Sequence, residues 1–205
     1  MARIVLTIGL LLVLTFGLHL ESRADQAVLK APRVGTIMTW HCTGPYSKEY
    51  IVKVTSVSDG MVRYNGKVDG AKYWADKPAS LTGTTLWTHK NGGRVQEIEL
   101  EDFDGFDELR PGARYKGAVA ARDGDVKWVW SYRIVVNRPK TIDNKVLGRR
   151  AVVPVVERRK VYHGDYWSEM TSLLEPKLGI TVEWLYRDPK GTEHCVMTEL
   201  TYPDS

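Results

Sequence analysis

The chain has two cysteines, Cys42 and Cys195, and each of them directly follows a histidine. The compartments outside the cytoplasm are oxidising, so two cysteines of an exported protein most often form one disulfide. Such a bond would tie the first strand of the chain to the last. The preceding residues, His41 and His194, offer an alternative, because two cysteines and two histidines also form a zinc ligand set. Two free thiols are the third alternative.

Backbone geometry favours the disulfide over the metal site. Both His-Cys pairs lie in extended stretches, where successive side chains point to opposite faces. If the two sulfurs converge, the two imidazoles point away from them, and a tetrahedral zinc site would require both strands to bulge. We therefore predict a Cys42–Cys195 disulfide, no metal site and no cofactor.

Aromatic residues are the second candidate set, since the chain contains seven tryptophans. Several of them fall on the apolar side of stretches in which apolar and polar residues alternate. Ligand sites are concave and mostly apolar, so these rings could line a curved sheet and hold a lipid or another apolar molecule. A packed core that needs no ligand is the alternative interpretation. The candidate ligand-facing residues are Trp128, Trp130, Tyr132 and Trp184.

Motifs of enzymatic chemistry are absent from the sequence. It contains no G-x-S-x-G elbow, no H-E-x-x-H pair and no glycine-rich phosphate loop. The acidic stretch 101–108 places carboxylates around Gly105, but its spacing does not match a calcium-binding EF-hand loop. We predict no catalytic residue, although paired carboxylates that meet only in three dimensions leave an enzyme open as an alternative.

The start of the chain has the three parts of a secretory signal. Arg3 precedes the uncharged apolar run 4–20, and small residues lead up to Ala24. A retained membrane anchor is the alternative, but the run is at the short end for a membrane span and ends in a usable cleavage site. We predict a signal peptide over residues 1–24, cleaved after Ala24, and a single exported β domain over residues 25–205. The cleavage site has no cysteine, which disfavours a bacterial lipoprotein.

The charge balance is only mildly basic. Lysine and arginine number 29 against 25 aspartate and glutamate, a formal net charge of +4. Basic residues cluster at Arg149-Arg150 and at Arg158-Arg159-Lys160, where charges usually mark solvated strand edges. An anionic-lipid or nucleic-acid patch is the alternative. Because no basic run is sustained, we predict no nucleic-acid partner and no membrane span after signal cleavage. The expected partners are an apolar small molecule or lipid, or an envelope protein.

Apolar and polar side chains alternate along most of the chain, which is typical of half-buried β-strands. The clearest run is 126–136, and residues 180–186 repeat the pattern. Pairs such as Asn65-Gly66 and Asp69-Gly70 supply the residues that tight hairpin turns need. The predicted fold is all-β and mainly antiparallel, a curved sheet or partly open β-barrel with little helix apart from an N-terminal signal helix. The predicted strands cover residues 36–42, 49–57, 60–65, 70–75, 84–90, 94–100, 113–121, 126–137, 150–161, 166–174, 180–187 and 192–201.

Three segments carry a resemblance to known proteins: Val34 to Trp40, the run Leu109-Arg110-Pro111-Gly112-Ala113-Arg114-Tyr115, and the hairpin from Tyr166-Trp167 through Pro176-Lys177-Leu178-Gly179 to Val182. Over most of residues 34–202 the chain resembles a group of uncharacterised exported β proteins of Gram-negative bacteria. The resemblance implies a curved antiparallel sheet, similar to periplasmic lipid-handling half-barrels. It implies no activity, because the shared residues belong to turns and strands.

The leading functional hypothesis is a periplasmic, non-enzymatic protein that binds an apolar or envelope ligand. A structural or interaction module of the cell envelope is the first alternative. An envelope hydrolase without a recognisable motif is the second.

Overall fold

The computed structural model of the protein describes residues 27–28, 30–45, 48–58, 61–78, 87–89, 95–100, 108–123 and 125–203. The signal peptide prediction and the acidic stretch 101–107 lie outside these residues. All regular elements of the described part are strands: β1 (Ala27–Val28), β2 (Ile37–Thr43), β3 (Glu49–Ser58), β4 (Met61–Val68), β5 (Ala71–Pro78), β6 (Trp87–His89), β7 (Val95–Leu100), β8 (Glu108–Leu109), β9 (Arg114–Asp123), β10 (Val126–Val136), β11 (Lys140–Asn144), β12 (Gly148–Val161), β13 (Trp167–Glu175), β14 (Ile180–Asp188) and β15 (Gly191–Thr201).

Thirteen of these strands form one antiparallel sheet, in the order β6-β5-β4-β3-β2-β15-β14-β13-β12-β10-β9-β7, with β11 beside β12. The remaining two, β1 and β8, pair with each other. Register shifts near Val54, Leu173 and Met197 bend the sheet, as β-bulges do. The prediction of an all-β, antiparallel, open and curved sheet is confirmed. No helix that is long and apolar enough to cross a membrane occurs in the described part of the chain.

The turn between β4 and β5 follows from its two residues. Asp69 and Gly70 both have positive φ, of 49° and 77°, and they connect strands whose flanking residues Val68 and Ala71 pair directly. Tight two-residue hairpins require such angles, and an Asp-Gly pair adopts them readily. The turn therefore lies where the sequence predicts it.

The prediction of another turn at Asn65-Gly66 is wrong, because β4 continues through both residues. Gly66 instead allows the backbones of β4 and β3 to approach each other closely. A side chain at this position would collide with the backbone of Ile51 and Val52 on β3. Glycine inside a strand often marks such an approach.

β10 and β11 behave as one long strand that pairs with β12 and is interrupted at residues 137–139. The interruption lies beside Pro154 of β12, which has no N–H to donate to the missing part of the ladder. A proline within an apolar run predicts an edge strand or an irregularity. Since β12 has neighbours on both sides, the edge alternative is wrong and the irregularity lies in the partner strand.

Beyond the interruption, residues 140–152 form a hairpin that we call the arm. Asn144 holds its turn, because Oδ1 accepts hydrogen bonds from the backbone N–H groups of Val146 and Leu147 at 2.8 and 3.0 Å. The side chains of Val146 and Leu147 pack against the buried cluster to which β2, β3, β4, β14 and β15 contribute. The turn of the arm is therefore held against the buried core.

The two faces of β10 differ in burial. On β10, the side chains of Tyr132, Ile134 and Val136 are at most 2% exposed, and we call their side the inner face. The alternate residues, among them Arg133, point to the opposite side, which we call the outer face. The inner face carries two buried clusters, one from β10, β12 and β13 and the other from β2, β3, β4, β14 and β15. The first contains Tyr132, Ile134, Val136, Val153, Val155 and Leu174, and the second Met38, Trp40, Val52, Val54, Val62, Ile180 and Met197.

Candidate functional site

Strands β2 to β6 form one half of the sheet, and the other strands of the sheet form the second half. The two cysteines face each other at the junction of these halves, where β2 pairs with β15. Cys42 of β2 is in direct register with Cys195 of β15, both side chains are fully buried, and the sulfurs are bonded. The histidines lie elsewhere, as strand alternation requires. His41 is exposed, and the Nε2 of His194 lies 2.8 Å from Oε1 of Glu183. The Cys2His2 zinc site therefore does not form.

A buried carboxylate, Glu193, lies beside this disulfide and is only 4% exposed. Its Oε1 is 3.4 Å from Sγ of Cys195, which has no hydrogen to donate when it is part of a disulfide. Cys42, Cys195 and Glu193 converge closely enough to hold a metal ion, but the bonded sulfurs are not thiolates. The cluster is therefore a structural contact in the oxidised protein.

Burial raises the pKa of the Glu193 carboxyl. The Lys48 charge and a hydrogen bond from the Trp184 side chain oppose this shift, whereas Asp69 and Asp188 reinforce it. Because the folded-state pKa is raised, the folded protein binds more protons than the unfolded chain between the two pKa values. The stability that comes from this group is complete below the unfolded pKa and is lost as pH rises through the folded pKa.

Replacing Glu193 with glutamine should therefore stabilise the protein at neutral pH, because the amide carries no charge to desolvate. The gain should shrink as pH falls towards the unfolded pKa of a glutamate. Urea unfolding of wild type and Glu193→Gln across this range measures the difference. Glu199→Gln, at an exposed position of the same strand, is the control and should follow wild type. A Glu193→Gln variant that is less stable at neutral pH would contradict the expectation.

Three of the four aromatic residues singled out by the sequence, Trp130, Tyr132 and Trp184, occupy different parts of the inner face. Tyr132 is fully buried in the first cluster, with half-buried Trp130 packed against that cluster. Trp184 packs against the second cluster, where its ring centroid is 5.4 Å from those of both Trp40 and Tyr50. The side chain of Trp128 lies outside the described part of the structure. The structure brings Trp130 and Tyr132 together, and a ligand on these rings stays a prediction.

An open groove of about 390 Å³ lies on the outer face, where β10, β12 and β13 run side by side. Two rows of directly paired residues form most of it, and such pairs point to the same face of a sheet. Arg159 and Ser168, which lie between the rows, complete the lining. From β10 through β12 to β13, the rows are Ser131, Lys160 and Trp167, then Arg133, Arg158 and Glu169.

The groove carries an excess of positive charge, since Arg133, Arg158 and Lys160 face one carboxylate, Glu169. Arg158 Nε donates to Glu169 Oε2 at 2.6 Å. Neither Arg133 nor Lys160 makes an ion pair with any residue that the structure describes. Trp167 borders the groove and is 43% exposed. The arrangement combines two cations that no carboxylate of the described residues neutralises with an exposed aromatic ring, which suits a ligand that is anionic in one part and apolar in another.

The third cation of the basic run, Arg159, points to the inner face. Its Cζ lies 5.8 Å from the ring centroid of Trp130 and 5.7 Å from that of Tyr132, within the range of cation–π attraction. The run 158–160 was expected to mark a solvated strand edge. That expectation is wrong, because β12 is flanked by β10 and β13.

Sequence reasoning missed the groove because its residues come from three separate strands. The available signal was the basic residue at alternate positions of β12, Arg158 and Lys160, which alternation places on one face. Only the register of both neighbouring strands shows that Arg133 and Trp167 join them.

Comparisons with known proteins place the fold. No protein-family model and no curated protein matches the chain. The hypothetical lipoprotein YmcC from Escherichia coli K12 superposes with a TM-score of 0.50 at 9% identity, over 82% of this chain and 85% of that chain. A Bacteroides fragilis protein described as exported and YmcC-like in fold gives a TM-score of 0.52 at 10% identity, over 86% of this chain and 100% of that chain. The chain thus has a YmcC-like fold, in agreement with its resemblance to uncharacterised exported all-β proteins.

Proposed function

We propose that this protein is an exported, non-enzymatic binding protein of the cell envelope, and that its outer-face groove holds the anionic head group of an amphiphilic envelope ligand. The observation that carries the proposal is the convergence of Arg133, Arg158 and Lys160 beside an exposed Trp167. The Cys42–Cys195 disulfide supports export, because structural disulfides persist in oxidising compartments. With the predicted N-terminal signal, the disulfide supports the periplasm or the exterior as the site of action.

The positive charges of the groove fit a phosphate group better than a neutral sugar or a neutral lipid. Guanidinium groups donate paired hydrogen bonds to phosphate oxygens, and a lysine ammonium adds a point charge. Arg133 and Arg158 are in direct register on neighbouring strands, so both can reach one anion. The flat ring of Trp167 offers an apolar surface to the part of the ligand next to its head group.

The polar groups of the groove favour binding over catalysis. Ser131 Oγ donates to the backbone carbonyl of Lys160 at 3.3 Å, and the Glu169 carboxylate is engaged by Arg158. A nucleophile activated by a neighbouring base requires a hydrogen bond between the two, and the hydroxyl of Ser131 makes its bond to a carbonyl instead. A hydrolytic role finds no support in these contacts.

Calorimetric titration with dihexanoyl phosphatidylglycerol, kept below its micelle-forming concentration, tests the proposal. The lipid should bind, whereas dihexanoyl phosphatidylcholine, whose choline neutralises the phosphate, should bind far more weakly. Binding of inorganic phosphate alone as tightly as the lipid would assign the groove to free phosphate rather than to an amphiphile. Removing the charges of Arg133 and Lys160 with glutamine should weaken lipid binding about tenfold for each charge lost.

The matched control is the double variant Arg149→Gln/Arg150→Gln on the arm. It removes the same number of charges from exposed positions outside the groove. It should bind the lipid as wild type does. Equal losses in the groove and arm variants would mean that net charge, and not the groove, attracts the lipid, and the proposal would be wrong.

A further inference from the structure

An exposed apolar border continues from the groove to one end of the sheet. Val129, Tyr162 and Trp167 are 45%, 59% and 43% exposed, although each is a large hydrophobic side chain. Val129 lies two residues before Ser131 on β10, so it shares the outer face of that strand. Tyr162 and Trp167 flank the connection between β12 and β13. We call the two rings, together with Val129 beside them, the aromatic border.

The connection itself is short and closed at its base. The backbone N–H of Val161 donates to the carbonyl of Tyr166 at 3.1 Å, and Gly164 in between has a φ of 128°. Tyr166 is held towards the inner face, since its hydroxyl lies 2.8 Å from that of Tyr186. Tyr162 is therefore presented on a fixed hairpin rather than on a long loop.

Tryptophan and tyrosine are enriched at the head-group level of bilayers, where an apolar ring and a polar edge are both satisfied. Lysine and arginine close to an anionic bilayer add about 1 kcal/mol each of attraction. In this protein Val129 and Trp167 lie on the same outer face as the cations of the groove, and Tyr162 follows the end of β12 next to them. Asp165 and Glu169 are the acidic residues of the hairpin and groove, against the cations Arg133, Arg158 and Lys160.

We infer that the protein docks on the surface of an anionic lipid bilayer through the aromatic border, and that the groove takes a lipid head group that is still in the bilayer. This inference rests on the proposed function of the groove. The ring of Trp167 belongs to both parts, so it lies between the head group and the acyl region. The complementary charges select an anionic bilayer over a neutral one.

Sedimentation with vesicles tests the inference. Vesicles of equal parts phosphatidylglycerol and phosphatidylethanolamine should carry the protein into the pellet, whereas vesicles of phosphatidylcholine should not. Trp167→Ala should weaken the partitioning about tenfold, because it removes a large exposed ring from the inserted apolar area. Removing Arg133 or Lys160 should weaken it about fivefold each. Brominated acyl chains should quench tryptophan fluorescence in wild type and quench Trp167→Phe less.

Tyr202→Ala is the matched control, since Tyr202 is also 43% exposed but follows the end of β15, away from the groove. It should partition as wild type does. If the soluble phosphatidylglycerol binds but the anionic vesicles do not, bilayer docking is wrong and the proposed function stands. If the soluble lipid does not bind, the proposed function fails, and the inference falls with it. Vesicle binding that is unchanged in both Trp167→Ala and Tyr162→Ala would overturn the aromatic border as the docking surface.

Discussion

The double variant Cys42→Ala/Cys195→Ala should lose about 2–5 kcal/mol of unfolding free energy, the largest effect expected from a change at the junction of the sheet. The bond joins residues separated by 153 positions, and constraining so long a loop removes about 5 kcal/mol of chain entropy from the unfolded state in the simplest treatment. It also links β2 to β15, the pairing that holds the two halves together. Urea unfolding of the oxidised wild type and of the variant measures the loss.

The variant carries its own control. Dithiothreitol should lower the stability of wild type towards that of the double variant and should leave the variant unchanged. Binding of soluble phosphatidylglycerol at temperatures below unfolding should persist in the variant, because the groove lies on β10, β12 and β13, and β14 separates these strands from β15. Free thiols in the purified wild type, or a stability loss below about 1 kcal/mol, would remove the disulfide from its structural role.

Most of the strands could be predicted because their signal is local. Alternation along 126–136 predicts both the strand and its buried face, and alternation along 180–186 predicts the strand. Asp69-Gly70 predicts a turn through backbone angles that few other residues tolerate. The short strands β1, β8 and β11 were missed. Two-residue strands and a five-residue strand are too short for a period of two to stand out.

Gly66 shows a different limit of sequence reasoning. Asn-Gly is the strongest local signal for a hairpin, yet here the glycine lies inside β4. The reason is not local, because it is the backbone of β3 that leaves no room for a side chain at this position. A residue type chosen for a close approach looks the same in sequence as one chosen for a turn.

The candidate site is the least predictable part because it depends on register. Arg133 is 25 positions before Arg158 in the chain, yet the two are direct neighbours. A shift of one residue in the pairing of β10 with β12 would send Arg133 away from Arg158 and Lys160. The alternation of the strands predicts the face of each side chain, but no local signal predicts which strands lie next to each other.

Replacing Tyr132 with alanine should destabilise the protein by about 3–5 kcal/mol, because the ring is fully buried and its removal leaves a cavity. Tyr132 packs with Ile134 and Val155 in the first buried cluster. Tyr132→Phe keeps the ring and should cost about 1 kcal/mol or less. Chemical unfolding monitored by circular dichroism gives these differences directly.

Val129→Ala is the control for this measurement, since Val129 lies on the same strand but on the exposed outer face. Its cost should be within about 0.5 kcal/mol. The comparison also separates the two interpretations of the inner-face aromatic rings. A core residue must lose stability when it is truncated, whereas a ring that lines an open ligand site would lose ligand binding with little change in stability. A loss of unfolding free energy below about 1 kcal/mol for Tyr132→Ala would therefore favour an apolar ligand on the inner face. A loss near that of other core truncations would assign this part of the inner face to packing and leave the groove as the binding surface.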